Sequence, residues 1–533
     1  MAATWIIQRP AQRVAPALRA TCARRAHPMS STAALLCSLF AATLGCARPA
    51  LAQSKFESSA PPTFAYEAPA SANYVRGLLE LGGFVTFGFI WYVTQTDIAA
   101  DAYDVSYSWP VFRKKLSGEA LELDTNELGT NYVGHPIGGA MYYTAMRSNQ
   151  LSVTQSFAVA VGGSLLWEYF GEVHEIVSLN DMIVTPIAGL AIAEPLIQLG
   201  AFFDRGSPNL PNRILGTLFA PLKTLNDLLD GRTLARSADV DGYGFARGEW
   251  HQFDLRLGAA TTQQRAADGT PEHVFSRWRL SLSSALVRLP DYADAGEHSF
   301  AFDDAHVSSI DVRLGGGGGG LADLDVSTQV ALLGQYQRSA ERHRDGSLWG
   351  HGELFGLTVG YRYLMHDYDR DGERPRDRIG SVQPLGVLFD HVSDLGELRV
   401  HVRADAGGEF AGVRPYALRA YRAQNEGSEL TTVLQEHLYY FAIGGHALAS
   451  LDVTTHGLEA QASARLDGYS AVGASIAAWD HKGVLQLRLS WGIPHTPLRL
   501  GTFVERHWRS GYMAHARAER IEDSVGMDLG ARF

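Results

Sequence analysis

The 533-residue chain has three cysteines, and all of them, Cys22, Cys37 and Cys46, lie in its first 46 residues. Beyond Cys46 that absence excludes disulfides, thiolate metal ligands and a cysteine nucleophile. Acidic residues are missing from Met1 to Ala52, where Arg9, Arg13, Arg19, Arg24, Arg25 and Arg48 carry the charge. Long uninterrupted apolar runs are missing too. Leu78 to Val93 contains Glu80 and falls short of a comfortable span, the next run contains Glu168, and the third contains Pro186 and Glu194-Pro195. Such interruptions suit a chain that must cross the inner membrane without lodging there. Positive charge is scarce, with a net charge of −11. That balance is poor for nucleic acid, whose binding needs positive potential to displace counterions.

What is present begins with an export signal. Ala33 to Gly45 is an apolar run of h-region length, and Ala50-Leu51-Ala52 before Gln53 is an A-x-A cleavage site. An internal start at Met29 would strip the n-region of arginine. A lipoprotein reading through Cys46 is weaker, because Leu44 stands one place away from where a lipobox wants it. Cleavage after Ala52 removes six positive charges and no negative ones, which takes the net charge to −17. Residues 53–72, rich in Ser, Ala and Pro, read as a linker.

The second half alternates with a period of two. Ile521, Asp523, Val525, Met527, Leu529, Ala531 and Phe533 share one face; Glu522, Ser524, Gly526, Asp528, Gly530 and Arg532 share the other. The same dyad recurs at Leu485–Ile493, Leu458–Asp467, Leu398–Asp405, Leu324–Val330 and Phe253–Leu257. A soluble sandwich also alternates, but here the strands are long enough for a tilted span and an export signal precedes them. A terminal Phe533 closing the last strand resembles the recognition signal of the barrel-insertion machinery. The pattern therefore predicts an antiparallel transmembrane β-barrel over 246–533. Twelve strands are expected, at 246–260, 274–288, 299–314, 321–336, 348–364, 380–392, 397–411, 436–452, 457–469, 483–493, 497–507 and 519–533. Short turns are expected at 393–396, 454–457 and 494–497, and long loops near 365–378, 412–434, 470–483 and 508–518.

Residues 73–235 read as a helical domain, so the fold class is α+β by segments. Helices are expected at 78–93, 136–148, 153–170, 181–203 and 213–229, with Ser152 and Gln155 as a capping box and Gly171 as a C′ residue. The domain is expected on the periplasmic side of the barrel or inside it. Its densest chemistry is Trp167-Glu168-Tyr169-Phe170-Gly171-Glu172-Val173-His174-Glu175. Helical spacing puts Glu168, Glu172 and Glu175 on one face, where paired carboxylates serve as acid and base or hold a divalent cation, with His135 or Asp181 as a further ligand. The plainer reading is buried ion pairs or a solvated face, with Arg147 as the partner of Glu168 or Glu172. No E-x-x-H or H-E-x-x-H spacing is present. Pro136 marks a helix's first turn, and Gly138 and Gly139 permit close packing. In the barrel half, Asp367-x-Asp369-x-Asp371-Gly372 opens like a calcium loop, but Arg378 stands where the loop's Glu belongs. It reads as weak Ca²⁺ binding at an outer loop or as solvated charge.

Asn131, His135-Pro136, Gly138-Gly139, Tyr142-Tyr143, Trp167-Glu168-Tyr169, Glu172, Ser178, Asn180-Asp181, Thr185-Pro186 and Gly189 together resemble a bacterial domain of unknown function, the DUF3943-type helical domain, over about residues 75–205. The resemblance implies a bacterial envelope protein and carries no catalytic role. Two functions remain open. One is a non-enzymatic outer-membrane barrel, in contact with outer-membrane lipid, that braces the envelope or passes a small polar solute. The other is a membrane enzyme modifying lipid or lipopolysaccharide through His135, Glu168, Glu172 and Asp181. Convergence of those side chains in an open cleft separates the two.

Overall fold

The computed structural model describes residues 63–68, 70–94, 109–119, 121–171, 177–266, 269–317, 320–367, 376–425, 434, 437–474 and 476–533. The export signal and its cleavage site lie outside the described residues.

Among the described residues thirteen strands follow residue 249: β1 (Trp250–Arg265), β2 (Pro271–Val287), β3 (Gly296–Phe302), β4 (Val307–Gly317), β5 (Gly320–Arg342), β6 (Leu348–Asp367), β7 (Arg376–Gly396), β8 (Leu398–Val413), β9 (Tyr440–Thr455), β10 (Leu458–Ala471), β11 (Ala478–Gly492), β12 (Leu498–Met513) and β13 (Ala516–Arg532). All but β3 join into a closed antiparallel ring, in which β13 pairs back onto β1 and β5 bridges β4 to β6. The ring is the expected twelve-strand barrel. The predicted strand 299–314 is two pieces. β4 pairs with residues 320–331 of β5, while β3 pairs with 334–340 of the same strand. The break at Asp303–His306 comes from outside the strand: Gln198 donates to the Ala305 carbonyl at 2.5 Å, and Ala305 adopts φ +54°. One loop expectation is also corrected. The connection near 508–518 is only Ala514-His515, because β12 and β13 pair as far as Met513 and Ala516.

The strands' alternation sorts cleanly. Arg362 of β6 reaches Asp325 of β5 and Asp467 of β10, and His366 lies between Asp323 of β5 and Glu522 of β13. Contacts between strands so far apart in the ring are made only across a lumen, so this face is the interior. On the other face Leu487, Leu489, Val525, Met527 and Leu529 stand exposed. An apolar exterior around a charged interior is the pattern of a barrel in lipid.

The helices are α1 (Tyr74–Thr94), α2 (Trp109–Ser117), α3 (His135–Arg147), α4 (Val153–Leu166), α5 (Leu179–Arg205), α6 (Leu210–Phe219) and α7 (Pro221–Asp230). Ser152 and Gln155 form the expected capping box. The predicted helix 213–229 is two helices, because Ala220 leaves helical geometry ahead of Pro221. α5 continues through Pro186 and Pro195. A proline inside a helix costs about 3 kcal/mol, and here burial on nearly every side of α5 offsets it.

The helices pack on the barrel's outward face. Tyr132, Tyr143, Met146, Val184, Ala188 and Ile197 share one core with Val330, Val359, Tyr361, Tyr363, Val382 and Phe441 of the strands. A second core joins Leu199, Phe202 and Phe203 to Leu286, with Phe253 and Ile310 against it. A Cβ on Gly380 or Gly412 would lie 2.3 Å or 2.4 Å from Tyr132, so these two glycines open the socket that receives it. The lumen, by contrast, is lined by barrel residues alone among those described. Among the described residues the helices' apolar faces thus meet the strands' apolar exterior rather than the charged interior.

Candidate functional site

Two polar centres are built, one in the bundle and one in the lumen. The bundle centre starts from two π-helical turns, Thr130–Gly134 ahead of α3 and Trp167–Gly171 after α4. Such turns rotate side chains out of the ordinary helical register. Here they bring Asn131 and Glu168 toward the start of α5. Ser178 caps that helix, accepting from the Asp181 N–H at 3.2 Å and donating to Asp124 Oδ2 at 3.2 Å. Asn131 Nδ2 donates to Asp124 Oδ1 at 2.7 Å and to Tyr439 Oη at 3.0 Å; the Asp124 N–H donates to Asn180 Oδ1 at 3.0 Å. His135 Nε2 stands 3.3 Å from Asp181 Oδ2. Glu168 accepts the Ser178 N–H at 2.8 Å, and its carbonyl accepts from Lys115 Nζ at 2.8 Å. The α3–α5 crossing that holds this together is very close: a Cβ on Gly139 would meet the Thr185 carbonyl oxygen at 1.8 Å. Gly138 faces open space and plays no part in the crossing.

The structure thus brings together His135, Glu168 and Asp181. Glu172 lies outside the described residues, as do His174 and Glu175. Asp124 and Tyr439 were not legible as members, Tyr439 because only folding brings a barrel residue to this helix. The centre is sealed: Asn131, Asp181 and Asn180 are fully buried, and only the His135 side chain reaches the surface, at 16% exposure. Among the described residues no group of three or more His, Cys, Asp or Glu is placed to hold a metal ion.

Arg147 corrects a further expectation. Among the described residues its partner is not Glu168 but Glu194, at 2.9 Å through Nε and 3.1 Å through Nη2. Tyr143 Oη and Gln198 Nε2 also donate to Glu194, and Gln198 accepts from Ser308 of β4. The glutamate that interrupts an apolar run is thus the anchor of a buried pair joining bundle to barrel.

The lumen centre is a cavity of about 770 Å³. Toward the end that carries the chain's C-terminus it is bordered by Trp250, Asp254, Arg399, Glu459 and Arg532. Toward the other end it is closed. A short helix, α8 (Leu418–Gln424), sets Leu418 and Tyr421 among Val413, Tyr440, Ala442, Tyr469, Ala478 and Met513. The Tyr416 N–H donates to Asp480 Oδ1 at 3.0 Å, and Arg509 pairs with Asp377 across the lumen at 2.9 Å. Of the calcium candidates, Asp367 ends β6 with its carbonyl accepting from Arg277; Asp369 and Asp371 lie outside the described residues.

No curated protein matches the sequence. Among solved structures, the in-vitro folded outer membrane protein OmpT of Vibrio cholerae is 6% identical, covering 54% of this chain and 97% of its own, with a TM-score of 0.20. The translocator domain of the autotransporter NalP from Neisseria meningitidis is 10% identical over 53% and 88%, with a TM-score of 0.21. The TodX monoaromatic hydrocarbon channel deltaS2 mutant is 8% identical over 53% and 90%, with a TM-score of 0.23. At such scores the outer-membrane assignment rests on the barrel's own closed ring and apolar exterior. Residues 120–222 match the family described as "Domain of unknown function (DUF3943)". The chain thus carries a DUF3943 domain followed by a closed twelve-strand barrel of the outer-membrane kind.

Proposed function

We propose that the protein holds and passes a small polar solute across the outer membrane, with α8 as the closure of the far end. The observation that carries this reading is a polar cavity of about 770 Å³ inside the barrel, with an apolar seal around Leu418 and Tyr421 at the end away from the C-terminus. The turns at Glu397, His456-Gly457 and residues 493–497 lie with the C-terminus, opposite the long connection of residues 414–439, and we take their end as the periplasmic side. Phe533 there fits recognition by the barrel-insertion machinery. The helical bundle we place in the bilayer beside the barrel. Leu78, Leu79, Phe87, Ile90 and Trp91 of α1 are exposed, a costly arrangement in water. α5, with 27 residues, is roughly 40 Å long and apolar enough to span a membrane. Planar-bilayer recordings test the solute reading. The protein as it stands should be silent, and Leu418→Asp with Tyr421→Asp should give discrete conductance steps; a folded, inserted double variant that stays silent contradicts it.

A second reading is kept by one observation, the convergence of His135 and Asp181 at 3.3 Å with His135 at the bundle's edge. A histidine beside a carboxylate is a pairing from which a general base can be built. If the centre modifies lipid, His135→Ala should change the envelope lipid profile while the barrel still folds; an unchanged profile removes this reading.

A further inference from the structure

The ion pairs of the lumen leave one stretch of wall with guanidinium donors to spare. Asp325 and Glu505, carboxylates within electrostatic reach of Arg313, already accept from Arg362 and Arg279. Strand register sets Arg256, Ser281 and Arg313 side by side across β1, β2 and β4, with Asp325 of β5 next in the row. All four border the cavity. Asp325 is occupied, accepting from Arg362 at 2.9 Å and 2.8 Å. Arg313 is exposed within the lumen and makes no hydrogen bond or ion pair with any described residue. Among the described residues Arg256 pairs with a carboxylate only at Asp254, 3.5 Å away, and both Asp254 oxygens already accept from Arg532 Nε at 3.0 Å. Arg488 of β11 lies within electrostatic reach of both Arg256 and Arg313. It gives one bond to Asp528, and its Nε is buried without a hydrogen-bond partner.

A guanidinium's fork of donors matches the oxygens of a phosphate or carboxylate, and in a cavity walled by protein such a pairing is stronger than in open water. We propose that Arg256, Arg313 and Arg488, with the Ser281 hydroxyl between the first two, bind the compact anionic group, phosphate or carboxylate, of a small polar solute. Asp311, two residues before Arg313 on the same face, also borders the cavity. It repels a second negative charge, so the row selects solutes with one anionic group over polyanions. This inference rests on the solute reading above and names the solute's class.

The test is isothermal titration of the purified full-length protein in detergent at low ionic strength, with inorganic phosphate, acetate and glucose in separate arms. Saturable binding of phosphate or acetate, and none of glucose, is expected, and whichever anion binds names the group. Arg313→Gln should weaken that binding by about tenfold or more while leaving the melting temperature unchanged, and Arg313→Lys should restore part of it. Binding of neither anion, or binding that Arg313→Gln leaves intact, overturns the proposal. Failure of the passage reading is seen separately. If the Leu418→Asp, Tyr421→Asp variant is silent, passage fails while the titration still decides the anion site. If it conducts, it should prefer anions, and Arg313→Gln should remove that preference; cation preference in the open variant contradicts the site.

Discussion

The bundle and the barrel solve the same problem with different periods. Each turns apolar side chains outward and buries its charges, the barrel by alternation along strands, the bundle by whole helix faces. In the barrel the charges form a continuous lining that meets a cavity, as in Arg362 with Asp325 and Asp467. In the bundle they form sealed knots, among them one around Asp124 and Asp181, one at Arg147 and Glu194, and one at Lys223 with Asp204 and Asp227. A lining with a cavity can exchange partners with a solute, whereas a sealed knot holds helices in register and leaves access only at His135. On the reading proposed above, that difference gives solute passage to the barrel and architecture to the bundle, with any chemistry confined to the bundle's edge.

The largest effect should come from a knot. Glu194→Ala strands the buried Arg147 guanidinium and should cost about 3–5 kcal/mol, read as lost heat-modifiability of the folded protein on gels. Replacing both partners together, Arg147→Met with Glu194→Leu, should recover most of that loss. The next test asks whether both exteriors meet lipid. Val525→Arg on the barrel and Phe87→Arg on α1, at 63% and 59% exposure, should each cost about 2–4 kcal/mol in refolding into vesicles. A near-neutral Phe87→Arg would put the bundle in water and break the parallel. Gly380→Val should push Tyr132 from its socket and cost about 1–3 kcal/mol, seen as earlier proteolysis of the helices with the barrel intact. The smallest effect is Ser152→Ala, which removes a capping box and should lower stability by about 1 kcal/mol in the same assay.

These unequal sensitivities follow what was legible in the chain. The barrel was readable strand by strand because a period of two is local: Leu485 to Ile493 declares its two faces without knowing its neighbours. The break at Asp303–His306 was not readable, since its cause is Gln198, a helix residue 107 positions earlier. Glu194 read as an interruption that eases export because its partner, Arg147, sits on another helix. In the bundle centre His135, Glu168 and Asp181 were legible as types that bear chemistry. Their surroundings were not, because the two π-helical turns shift the register on which helical spacing depends, and Tyr439 arrives from the barrel. The helices' placement escaped for a similar reason. An apolar helix face signals burial without saying whether lipid, a lumen or a barrel's outer wall will cover it.

That placement is the central claim, and nitroxide accessibility tests it most directly. With the three native cysteines replaced by serine, a spin label at Leu79→Cys or Trp91→Cys in vesicle-inserted protein should relax strongly with molecular oxygen and weakly with a water-soluble nickel chelate, matching a label at Met527→Cys on the barrel exterior. Strong relaxation by the nickel chelate at both α1 positions, with the Met527→Cys label still protected, would contradict a bundle set in lipid against the barrel wall.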